Sequence, residues 1–323
     1  MVTQAFEQPK IGRILTTVLL TSLALVLPGI QFFLFGWSYI FLPLVGFLIF
    51  GNFGWYAGKK IVLVALVISL IANLFLGSFD LFLFSCAMLA PGIVLHRSAT
   101  RGDSPALSGF KGCSALVGGW LLVVAFASFG AEISVYGQML RTLDQALTET
   151  LEHYRKSSDF SADALIVVET TVHQMKQIIP IILPGILGGV VLIVTWITMV
   201  LGNFLMKKTG NVRVWPSFRQ WQLPEKLIWT VIGMGACILT PIEPLPKIGI
   251  NCILLLCVVY CFQGFSVTVF FMNKWQVPLF IRSFFYVMIV FQSLGTLILL
   301  LFGVADIWVD FRKLKTKAVI GKD

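Results

Sequence analysis

An all-α, polytopic membrane bundle is the architecture this chain encodes, and three observations point to it. Hydrophobic residues fill 58% of the 323 positions and charged residues only 12%, against about 45–50% and about 25% in soluble domains. The apolar residues gather in runs near the roughly 20 residues that a spanning helix needs. Mean hydropathy is +0.91, more apolar surface than a soluble core of this length absorbs, whereas lipid takes it up.

Taken in order, the first span covers 12–28 and stops at Pro28-Gly29. Lys10 and Arg13 precede its apolar run ILTTVLLTSLALVLP, and GIQFFLFGW after it offers no small-residue cleavage site, so it reads as an uncleaved span with a cytoplasmic N-terminus. Spans follow at 38–56, ending in Lys59-Lys60, at 61–78, at 80–95 and at 113–131. Residues 132–179 then change character. Tyr136, Leu140, Leu143, Leu147, Leu151 and Tyr154 recur at helical spacing between Arg141, Asp144, Glu149 and Glu152. A second amphipathic helix runs from Ala162 to Ile179, with Leu165, Val168, Val172 and Met175 on one side. The segment has seven acidic and four basic residues, which predicts a helical hairpin on the extracytoplasmic face.

The rest, 180–323, returns to the membrane. Span six covers 180–206. The loop 207–226 is the most basic stretch, and Trp215, Trp221 and Trp229 punctuate it as interfacial belts do. Apolar runs follow at 227–246, 248–272 and 283–305. If all three cross, there are nine spans, and the basic tail lies outside. If 227–246, with its ending TPIEPLP, enters and returns, there are eight and the tail is cytoplasmic. Eight is the preferred count. These three regions (1–131, 132–179 and 180–323) form the predicted organisation.

The net charge of +9 suits helix orientation and anionic lipid, not nucleic acid. The six cysteines lie in or beside apolar runs without a CxxC pair, so no metal site is read. No GxxxxGK[ST], GxSxG or HExxH is present, so no catalytic residue, enzyme activity or cofactor is expected.

Polar residues inside apolar runs are the informative ones, because lipid makes them costly without a partner or cavity. Asn73, Asp80, Asn251, Gln263 and Gln292 are the candidate ligand-binding residues. Asn73 and Asp80 flank the outer end of span three, where they line an entry or cap helices. Gln263 and Gln292 bond each other between helices or line a pocket. At the C-terminal end, LFGVADIWVDFRKLK closes the last run. Asp306 and Asp310, four apart, have the spacing for acid–base work, but a membrane-exit anchor is the better reading. In it Asp306, Trp308, Asp310, Arg312 and Lys313 sit at the interface with the cations snorkelling to headgroups.

Three stretches, SFRQWQLPEKLIW (217–229), CFQGFSVTVFFMNKW (261–275) and LFGVADIWVDFRKL (301–314), resemble the YybS-like family of bacterial multi-span membrane proteins, a domain of unknown function. The layout of 12–97 is similar to that of the substrate-binding S-components of energy-coupling-factor transporters. That resemblance implies a small-molecule binding or transport component of the bacterial inner membrane, partnered by a membrane scaffold and ATPases. The alternative is a non-catalytic scaffold or assembly protein that meets another membrane protein through 132–179 and 207–226.

Overall fold

The computed structural model describes residues 11–129, 134–156, 161–208 and 215–313. Among these, every regular element is helical. The helices are α1 (Ile11–Ile30), α2 (Phe32–Phe35), α3 (Leu42–Phe75), α4 (Phe79–Thr100), α5 (Pro105–Ala127), α6 (Val135–Lys156), α7 (Ala162–Lys208), α8 (Leu227–Ile238), α9 (Leu245–Lys274), α10 (Leu279–Phe291) and α11 (Ser293–Val309).

Six of the helical stretches are long and apolar enough to cross a membrane, or seven if the bent pair α10–α11 counts as one. Eight were expected, and the difference has local causes. The runs anticipated as spans two and three both fall within α3, as two arms that meet at a kink at Gly54 and are counted together as one stretch. The 227–246 run, which the count of eight did not take as crossing, yields only the 12-residue α8, about 18 Å long against roughly 30 Å of hydrocarbon. The run at 283–305 is bent by 99° between α10 and α11, where Gln292 adopts an extended backbone.

Gly54 determines the shape of α3. Its φ of 73° and ψ of 178° lie in a region open essentially to glycine alone. The chain doubles back there: Phe50 packs on Gly58, and Phe50 lines one cavity with Val62 and Leu66, which a straight helix would hold about 18 and 24 Å away. Gly54→Ala is therefore expected to cost about 1–3 kcal/mol, although no atom lies within 4 Å of its Cβ position. Melting the variant in detergent micelles checks this, and an unchanged midpoint would contradict it.

The chain divides into two compact units. The first is drawn from 1–123, 191–225 and 258–323. Glycines bring its helices to backbone contact: a Cβ on Gly92 of α4 would collide with the Pro43 carbonyl, and one on Gly46 would lie 2.9 Å from the Leu89 oxygen. Phe47, Leu95, Ala99, Met199, Met206 and Trp215 form one buried cluster, and Leu25, Tyr39, Leu42, Met88, Leu116, Val191 and Val194 another. Large apolar side chains such as Leu63, Phe75 and Leu122 remain exposed, the face that a lipid-bathed bundle presents. Between α4 and α5, Asp103 accepts hydrogen bonds from Lys111 and Ser98. The Lys111 bond, then the Ser98 bond, hold its carboxyl below the usual range. The unfolded chain, titrating near about 3.9, binds this proton first as pH falls. The contribution of Asp103 is thus complete above about pH 4 and lost as pH drops through the lowered value. A thermal-midpoint gap between wild type and Asp103→Asn that holds steady above about pH 4 and closes as pH falls below it is the expected signature; a pH-independent gap would contradict it.

The second unit comprises 124–190 and 226–257. Here α6 is tied to the first part of α7: Arg155 pairs with Glu169 at 2.6 Å, and Lys176 with Asp144 at 2.8 Å. Lys176 also donates to the Thr148 hydroxyl. The amphipathic run expected to end at Ile179 continues without interruption into the apolar part of α7.

Candidate functional site

The three sequence landmarks converge in the first unit. Gly264 of α9 and Gly303 of α11 let the two helices meet backbone to backbone. A Cβ on Gly264 would collide with the Leu299 carbonyl, and one on Gly303 with the Tyr260 carbonyl. That crossing presents Gln263 and Ser266 of α9 to Asp306 of α11. After α11 the chain reverses at Asp310, which is left-handed at φ 44° and ψ 57°, its N–H donating to the Asp306 carbonyl. The reversal carries Arg312 back towards Asp306.

The resulting cluster is buried: the side chains of both Asp306 and Arg312 have 0% exposure. Arg312 Nη2 donates to Asp306 Oδ2 at 2.7 Å, and Gln263 Nε2 donates to the same oxygen at 2.7 Å. Arg312 Nη1 donates to Ser266 Oγ at 2.7 Å and to the Arg219 carbonyl at 2.8 Å. The Leu223 N–H donates to Gln263 Oε1 at 3.2 Å, Ser266 Oγ to the Phe218 carbonyl, and Gln222 Nε2 to Asp310 Oδ1. Thus the segment 217–223 is held by side chains of α9 and of the chain just beyond α11. Burying an ion pair costs several kcal/mol per ion, which the direct contact and these additional bonds offset. Asp306 Oδ1 and Arg312 Nε have no hydrogen bond among the described residues.

This placement corrects the membrane-exit reading of Asp306 and Arg312: neither reaches out to headgroups, because the turn at Asp310 points Arg312 inward. Trp308 and Trp229 are exposed, at 69% and 71%, and Lys313 is exposed too. Trp215 departs from the belt reading. It is 2% exposed, stacks on Phe47, donates from its indole to Ser108 Oγ, and exchanges hydrogen bonds with Asn203. Trp221 is partly buried, its indole donating to the Pro216 carbonyl.

The candidate ligand residues do not assemble. Asn73 is fully buried, donating to the Ser69 carbonyl and accepting from the Ser78 hydroxyl, and so closes the α3–α4 turn. Asp80 is exposed in the first turn of α4. Asn251, in the second unit, accepts from the Gly185 N–H at 2.6 Å and donates to the Ile181 carbonyl at 2.8 Å. Those two groups are i and i+4 on α7 beside Pro184, so the amide supports the helix where proline weakens it. Gln263 meets Asp306 and Leu223, not Gln292, which lies exposed at the α10–α11 bend. None of the five lines the cavities of about 430, 220 and 330 Å3 found among the described residues. Sequence reasoning missed Ser266 and Gln222, whose only signal was their place inside the quoted landmarks. Among the described residues no three His, Cys, Asp or Glu side chains gather as metal ligands would.

Fold and cluster together define a multi-span α-helical membrane protein whose most buried charges join its own segments. The chain belongs to the family described as "Predicted membrane protein (DUF2232)", whose profile matches residues 14–307. The match includes Gln222, Gln263, Ser266 and Asp306 and ends before Arg312. No curated protein and no solved structure matches the chain.

Proposed function

We propose that the chain is a non-catalytic component of the bacterial cytoplasmic membrane that recruits a partner protein through its 132–179 arm. The observation that carries this reading is the length of α7. Its 47 residues span about 70 Å, more than twice the roughly 30 Å hydrocarbon thickness, so a large part must project. The polar end, 162–177, is the part that leaves lipid, with α6 bound to it by the Arg155–Glu169 and Lys176–Asp144 pairs. Between the two helices lies a half-open cavity of about 430 Å3, lined by Leu140, Leu143, Leu147 and Pro180 with Arg141, Asp144, Gln145 and Lys176 beside them. Such a surface, apolar within a charged rim, suits a protein partner.

Charge supports an orientation. Arg13, Lys59, Lys60, Arg97 and Arg101 occupy the start of α1, the turn of α3 and the end of α4. By the positive-inside rule that end is cytoplasmic, which places the N-terminus inside and, by span order, the acidic arm outside.

The second reading, a transport component similar to S-components with a scaffold and ATPases as partners, draws support from a different place. A cavity of about 220 Å3 between α1 and α3 is lined by Thr17, Thr21 and Asn52. Purification from native membranes, with everything retained identified by mass spectrometry, tests both. Recruitment predicts a membrane or envelope protein at fixed ratio that is lost when 134–177 is replaced by a short Gly-Ser linker, while the remaining spans still insert. A bound small molecule or ATPases retained by both forms would overturn recruitment and support transport.

A further inference from the structure

Beside the α3 turn lies a feature that neither the buried cluster nor the polar arm involves. Directly after Gly54 come Trp55, Tyr56, Lys59 and Lys60. Lys59 Nζ stands 4.8 Å from the centre of the Trp55 ring, and Arg97 Cζ of α4 stands 5.6 Å from the centre of the same ring. Lys60 Nζ lies 4.6 Å from the centre of the Tyr56 ring. Among the described residues none of these three cations pairs with a carboxylate. Against Trp55 and Lys59 opens a cavity of about 330 Å3 whose other walls are Phe50, Val62, Leu63, Leu66 and Ile93. A wholly aliphatic and aromatic groove thus ends at a cationic rim.

We infer that this groove holds one anionic phospholipid, with an acyl chain along Val62, Leu63 and Leu66 and its phosphate between Lys59 and Arg97. Charge complementarity and the apolar wall together fix the occupant. A free phosphate gains nothing from five apolar side chains. A zwitterionic lipid brings its own cation to a rim that already holds Lys59 and, over the same Trp55 ring, Arg97. An apolar partner helix would cover the wall and leave the rim charges uncompensated, which is costly. The indole of Trp55 suits a position at headgroup level. The inference is independent of both functional readings above.

Native mass spectrometry of the full-length protein, delipidated in detergent and titrated with phosphatidylglycerol or phosphatidylcholine, tests it. Each cation near an anionic headgroup contributes about fivefold in affinity. Wild type should therefore prefer one phosphatidylglycerol by about 30-fold. Lys59→Ala/Arg97→Ala should abolish the preference, and Lys59→Arg/Arg97→Lys should keep it. Leu63→Trp, at a 64% exposed position that tolerates change, should lower retention of phosphatidylglycerol by filling the groove. Millimolar inorganic phosphate should not displace the lipid. Equal retention of the two lipids by wild type, a preference that survives the double alanine variant, retention unaffected by Leu63→Trp, or displacement by phosphate would each overturn the inference.

Discussion

Asp306→Ala is expected to destabilise the protein by about 3–5 kcal/mol, because it leaves the Arg312 guanidinium buried without its counter-ion. Arg312 would keep the Ser266 and Arg219 contacts through Nη1, but these neutral groups do not balance its charge, and Gln263 Nε2 would lose its acceptor. The matched apolar replacement Asp306→Leu/Arg312→Leu removes both charges and should recover much of the loss. Equilibrium unfolding in mixed micelles reads both variants. A loss of under about 1 kcal/mol for Asp306→Ala, typical of an exposed pair, would mean that the two side chains face water or headgroups.

Gly264→Val should be at least as damaging, for a reason unrelated to charge. The new Cβ would strike the backbone carbonyl of Leu299, and the reciprocal site, Gly303, faces the carbonyl of Tyr260. A side chain can rotate away, but a helix backbone can only separate, and separation would part Gln263 from Asp306. A loss beyond about 4 kcal/mol, seen as failure to accumulate in the membrane, is expected. Gly118→Ala on α5 is the control, since nothing lies within 4 Å of its Cβ position. It should not be harmful. Comparable accumulation of Gly264→Val and Gly118→Ala would contradict the close crossing of α9 and α11.

The contrast between these residues shows what was legible in the chain. The apolar runs and the amphipathic α6 follow from composition and period, and α1, α4 and α5 lie where those runs fall. Gln263 was recognisable as a polar residue in lipid, but its partners were not. They come from segments about 40 residues away on either side, and contact at that separation leaves no periodic trace. Asp306 and Arg312 misled for a physical reason. A carboxylate and a cation at the end of an apolar helix have the composition of an interfacial anchor, and only the backbone reversal at a non-glycine residue, Asp310, turns the arginine inward. Trp215 misled in the same way, since its indole finds Ser108 and its backbone finds Asn203 within the protein. The α3 turn falls at Gly54, five residues before Lys59, because backbone freedom and not charge allows the reversal. The three landmark stretches were visible as words in order; that they meet at one buried pair is a fact of three dimensions.

A double-mutant cycle on Asp306 and Arg312, with each changed to leucine singly and together, tests the buried tie most directly. A coupling energy of at least about 2 kcal/mol is predicted, with the double variant more stable than either single one. Single effects that add to within about 0.5 kcal/mol would show that the pair does not exist in the folded protein, and that segments 217–223, α9 and α11 are joined by something else.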